Sequence, residues 1–122
     1  MVLCDTNIFI YAFNGKQETI DQLQAIGLEN VVISSITVME LLQGMRNKAE
    51  LTQAKKKIRY FDVVEINIEI SKLATQFIED FNLSHGLQIP DAIIGATAVI
   101  LQVPLYTYNI KDFKFLPGIV LV

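Results

Sequence analysis

Four acidic residues stand where short apolar runs give way to helical patterns, and their types and placement bear directly on chemistry. Asp5 ends the run Met1-Val2-Leu3-Cys4 and opens Thr6-Asn7-Ile8. Glu40 lies in Ser34-Ser35-Ile36-Thr37-Val38-Met39-Glu40-Leu41, Asp91 in Ile89-Pro90-Asp91-Ala92-Ile93-Ile94-Gly95-Ala96, and Asp112 in Thr107-Tyr108-Asn109-Ile110-Lys111-Asp112-Phe113. Carboxylates gathered in a partly dry cleft repel one another unless a cation compensates. With one cysteine, Cys4, and one histidine, His85, the chain lacks the ligands of a Cys/His zinc site and cannot form an internal disulfide. Oxygen donors alone favour Mg2+ or Mn2+. The chemistry that such an ion supports among acids is phosphodiester hydrolysis.

The acids are 35, 51 and 21 positions apart along the chain, so only the fold can bring them together. Short apolar, β-branched runs at 2–4, 31–33, 63–66, 103–107 and 119–122 are expected to be buried strands. Helical spacing fills 6–13, 17–26, 36–46, 49–61, 67–84 and 90–102; in 67–84, Ile70, Leu73, Ala74, Phe77, Ile78 and Phe81 form one apolar face. Strands alternating with helices predict an α/β/α sandwich, a central and mainly parallel sheet of about five strands covered on both sides. In such a sheet Asp5 and Glu40 follow the first two strands and Asp112 the fourth, all at the carboxyl edge. Asp91 reaches that edge because a helix between parallel strands runs antiparallel to them.

Each acid also has a purely structural explanation. Asp5 is placed to cap the following helix, Thr37 to Glu40 has the spacing of a capping box, and Asp91 after Pro90 sits in a first helical turn that favours an anion. Thr6 and Asn7 beside Asp5, and Thr107 and Asn109 near Asp112, are either hydrogen-bonding supports for the acids or ordinary caps and turns.

At 122 residues and 52% hydrophobic content, one domain spanning 1–122 is expected. No basic segment leads into a long apolar stretch, which points to a cytoplasmic protein without a membrane span. The net charge of −3 does not exclude a phosphate-bearing partner, because six of the ten basic residues fall within positions 46–59. Of these, Arg46 and Lys48 lie just past the Glu40 helix and are the candidate contacts for the phosphates of a nucleic acid, while Lys55-Lys56-Lys57 reads as a solvated helix face or a contact for nucleic acid or protein. Cys4 is expected to be a buried apolar residue, His85 a loop residue, and Phe9, Tyr11 and Phe13 packing groups rather than base-stacking ones.

The patches around Asp5-Thr6-Asn7, Ser34 to Leu41, Pro90 to Ala98 and Leu105 to Phe113 resemble, in order and spacing over nearly the whole chain, the PIN-domain ribonucleases of the VapC toxin type. The resemblance implies an endoribonuclease dependent on Mg2+ or Mn2+, a homodimer, and a small VapB-like antitoxin that occupies the active-site groove. It carries the family acids onto Asp5, Glu40 and Asp91, with the fourth position falling to Asp112 or to Asn109. A PIN-like module that binds RNA or protein without cutting is the alternative. A phospho-aspartate enzyme using Asp5 is a third reading, and Asn7 stands where the Asp-x-Asp pattern of such enzymes has its second acid.

Overall fold

A computed structural model describes residues 1–122. The four strands are β1 (Val2–Cys4), β2 (Val31–Ser34), β3 (Asp62–Val64) and β4 (Leu105–Tyr106). All pair in parallel, in the order β3-β2-β1-β4. The helices are α1 (Thr6–Phe13), α2 (Gln17–Ile26), α3 (Ser35–Gln43), α4 (Lys48–Ile58), α5 (Ile68–His85) and α6 (Ile89–Leu101), with short 3-10 turns at Leu28–Asn30 and Ile110–Asp112. The expected fifth strand at 119–122 is reduced to one parallel bridge between Leu105 and Leu121. Pro117-Gly118 turns the chain just before that bridge, with Gly118 at φ of +83°, and the segment bonds β4 only through Leu105, whose N–H donates to the Val120 carbonyl and whose carbonyl accepts from the Val122 N–H.

Alternation along the strands builds two cores. Leu3, Val32 and Leu105 point to one face, where they meet Ile70 and Phe77 of α5 and Ala92, Ile94 and Ala96 of α6. Cys4, Val31, Ile33 and Tyr106 point to the other and meet Ile8 and Phe9 of α1, Leu23 of α2, Leu41 of α3 and Ile58 of α4. A period of two in the strands therefore produces three layers. The α5 stripe buries Ile70, Ala74 and Phe77, starts at an Asn67 cap whose side chain accepts from the Ile70 N–H, and stops at Gly86, where φ of +71° suits glycine. His85 closes α5 rather than lying in a loop, its ring stacked on Phe115 with centroids 4.2 Å apart.

The chain runs from β1 to β2 to β3 in one direction and then crosses back through α5 and α6 to place β4 on the far side of β1. The strand order thus reverses between β1 and β4, the position at which open α/β sheets form a crevice at their carboxyl ends. Asp5 follows β1 and Thr107 follows β4, so that crevice opens beside them.

Candidate active site

Asp5 is the cap of α1 and is only 4% exposed. Its Oδ1 accepts from the Thr6 backbone N–H at 2.7 Å, and its Oδ2 accepts from the Thr107 hydroxyl at 2.8 Å, a bond that spans the strand-order reversal. The Asn109 backbone N–H donates in turn to Thr107 Oγ1 at 3.0 Å, so Asn109 enters the site through its main chain. Its side chain is exposed and makes no hydrogen bond. Burial raises the Asp5 pKa, the two hydrogen bonds oppose the rise, and the charges of Glu40 and Asp112 add to it.

Glu40 belongs to α3, but the capping box expected of Thr37 and Glu40 does not form. Ser34 caps α3 by accepting from the Ile36 N–H, which leaves the Glu40 carboxylate to accept from the Thr6 hydroxyl at 2.8 Å. Thr6 has one hydroxyl proton, already donated to Glu40, so its 2.9 Å contact with the buried Thr37 hydroxyl makes Thr37 the donor there. Thr6 thus ties both carboxylates together, through its N–H to Asp5 and through its O–H to Glu40.

Asp91 lies in the first turn of α6, beside Pro90. Neither it nor Asp112 in the 3-10 turn receives a hydrogen bond from the protein, and Asp91 does not cap its helix, whose cap residue Gln88 makes no side-chain bond either. Burial first, then the charges of Asp5, Asp112 and Glu40, push the Asp91 pKa up to about 7. Asp91 therefore feels the charges of the other three acids, although the four come from separate stretches of sequence.

The donor set fits a hard divalent cation. Every candidate ligand is oxygen, His85 is stacked on Phe115, and Cys4 is fully buried with its thiol pushed up to about 12. The only buried side-chain polar atom without a hydrogen-bond partner is Asn7 Oδ1, two residues from Asp5. As the side chains stand, no three acids are clustered as ligands of a single ion. Mg2+ is commonly held by one or two carboxylates and keeps several waters, so it does not require such a cluster.

The basic candidates divide. Arg46 is 85% exposed and forms a bidentate pair with Glu50, Nη2 to Oε2 at 2.8 Å, so its charge is already partnered. Lys48 opens α4, exposed, and is not among the residues lining the groove beside Glu40, which Arg46 does line. Lys57 lines that groove instead, its Nζ 5.2 Å from the Phe13 ring centroid. A helix face seen in sequence does not reveal which lysine of a run turns inward, and the contact with Phe13, 44 positions away, supplies that information.

A model of the PIN domain matches residues 2–116. Ribonuclease VapC2 of Rickettsia felis is 31% identical over 127 residues, covering 98% of this chain and 94% of that protein. A toxin-antitoxin complex from Klebsiella pneumoniae contains a chain that superposes with a TM-score of 0.83 at 32% identity, over 98% of this chain and 96% of that one. VapBC2 of Rickettsia felis, bound to a DNA fragment from its promoter, gives a TM-score of 0.81 at 25% identity over 100% and 98%. The likeness takes in the first strand with Asp5, the α3 start and the α6 start together, and the chain belongs to the PIN-domain family, in its VapC-type branch.

Proposed function

We propose that the protein is a divalent-metal-dependent endoribonuclease acting as the toxin of a toxin-antitoxin pair. The observation that carries this reading is the set of bonds by which Thr6 holds both Asp5 and Glu40 and Thr107 holds Asp5, beside an Asp91 that burial and the charges of Asp5, Asp112 and Glu40 push up to about 7. Asp5, Glu40, Asp91 and Asp112 are the proposed carboxylates of the Mg2+ or Mn2+ site, of which one or two would ligate the ion directly and the others act through its waters or by charge. A bound divalent ion supplies Lewis acidity toward the phosphodiester and toward the attacking water. The chain's own groups prepare for this: Thr107 and the Thr6 N–H hold Asp5 in one orientation, and the Thr6 hydroxyl, fixed by Thr37, does the same for Glu40.

Purified protein should cleave single-stranded RNA with Mg2+ or Mn2+ and not in excess EDTA. Asp5→Asn and Asp91→Asn should each lower cleavage by a factor of about 1000 or more, by loss of a charged ligand, with an unchanged circular dichroism spectrum. Full activity in EDTA would refute the metal dependence. The reading of a module that binds RNA without cutting draws on the absence of a three-acid cluster; equal RNA affinity with and without metal, and no cleavage, would establish it.

The proposed antitoxin site is a groove of about 550 Å3 between α1, α3 and α4, with Ile10, Phe13, Leu41 and Met45 as its apolar wall and Glu40 on its border. An apolar helix laid there would cover an acid of the site, which supports inhibition by occupancy. A homodimer is part of the same reading, and light scattering should return twice the 13.7 kDa chain mass.

A further inference from the structure

We propose that Tyr108, Tyr11 and Lys16 form a nucleotide subsite beside the acids, taking one unstacked base of single-stranded RNA on the tyrosine pair and its neighbouring phosphate on Lys16. The proposal rests on the ribonuclease reading for its substrate class, and on independent geometry for its place. Tyr11 and Tyr108, 97 positions apart in sequence, meet edge to face with centroids 5.3 Å apart, yet remain 41% and 40% exposed. Packing aromatics of this size are ordinarily buried, as Phe9 is on the same helix.

Tyr108 is held as a rigid platform. Its hydroxyl is hydrogen-bonded to Thr19 of α2 and, at 3.0 Å, to Tyr106 of β4, while the Tyr106 ring meets it edge on at 5.6 Å. It stands directly between Thr107, whose hydroxyl holds Asp5, and Asn109, whose N–H holds Thr107. The platform is therefore tied by the backbone to the residue that holds Asp5, and aromatic side chains next to a nuclease groove are where successive unstacked bases are taken up.

Lys16 supplies the charge. Its ammonium lies 4.5 Å from the Tyr11 centroid and 5.6 Å from that of Tyr108, and it has no carboxylate partner, Arg46 to Glu50 being the chain's one salt bridge. A cation over exposed rings is held weakly and can exchange the ring face for a phosphate. Aromatic faces beside a free lysine recognise unpaired bases and not duplex, whose bases are stacked internally.

Three of the four tyrosines belong to this cluster and the chain has no tryptophan, so tyrosine emission reports on the subsite directly. A single-stranded RNA hexamer titrated without divalent ion should quench that emission. Tyr108→Leu and Tyr11→Leu should each weaken hexamer binding about tenfold, and raise KM for cleavage with kcat unchanged. Tyr108→Phe keeps the ring but loses the hydroxyl bonds to Thr19 and Tyr106, and should fall between wild type and Tyr108→Leu. Lys16→Gln, at a fully solvated position, should flatten the dependence of log affinity on log salt by about 0.7. Wild-type KM in both Lys16→Gln and Tyr11→Leu, or equal affinity for a duplex of the same sequence, would overturn the subsite while leaving the ribonuclease intact. Tyrosine-dependent binding of the hexamer with no cleavage of any RNA would support the subsite and overturn the ribonuclease reading instead.

Discussion

Thr6 and Thr107 control two of the carboxylates although neither carries charge, Thr107 at a buried position and Thr6 at a half-buried one. Each fixes a carboxylate by a bond of 2.8 Å, Thr6 to Glu40 and Thr107 to Asp5. Removing the hydroxyl without changing shape isolates that role. Thr107→Val should reduce cleavage about 10–100-fold, the usual cost of losing a support for a metal ligand, and should shift the metal concentration for half-maximal activity upward. Thr6→Val should act in the same direction through Glu40, while Thr6→Ser retains the hydroxyl and should recover most activity. An unchanged metal titration in both valine variants would show that these hydroxyls merely cap helices.

At the scale of elements, α6 must lie close against the segment that follows β4, because it carries Asp91 and that segment carries Asp112. Gly95 permits the approach. It is buried one turn past Asp91, and a Cβ there would run into Leu116 Cδ1, with Phe113 next to it. Leu116 and Phe113 are themselves buried and cannot give way freely. Gly95→Ala, which would stabilise a solvent-exposed helix, should here destabilise by about 1–3 kcal/mol through overpacking, visible as a lower Tm. Loss of activity should accompany it, because Asp91 and Asp112 separate. A higher Tm would mean that the helix relaxes without strain.

Burial of the acids, and after it their mutual repulsion, gives the whole molecule a pH dependence. Burial and the neighbouring acids push Asp91 up to about 7 from its ordinary 3.8, and raise Asp5 as well. The folded state therefore holds protons that the unfolded state has released, so this contribution to stability is fully present below pH 3.8 and is lost as pH rises through about 7. Metal-free protein should lose Tm between pH 4 and 7, by at least about 4 °C, the equivalent of roughly 1 kcal/mol in a domain of this size. Mg2+ or Mn2+ should restore it at pH 7 by an amount that grows with the logarithm of ion concentration. A Tm that is flat with pH and indifferent to Mg2+ would contradict both the coupling and the site.

Local pattern alone determined most of the architecture, because strand and helix periodicity, caps and turns are properties of neighbouring residues: all six helices and four of the five strands lie where spacing puts them. It also put Asp5, Glu40, Asp91 and Asp112 forward as candidates for one site, since a parallel sheet puts the residues after its strands and the starts of its returning helices on a single edge. What only tertiary structure decided concerns partners remote along the chain. Ser34, not Thr37, caps α3 and frees Glu40 for Thr6; Asn109 works through its backbone; Arg46 is taken up by Glu50 while Lys57 turns to Phe13; and Tyr11 and Tyr108 meet across 97 positions. Those contacts depend on how layers pack, and the spacing of residues along one element carries no record of which side chain from another element will face it.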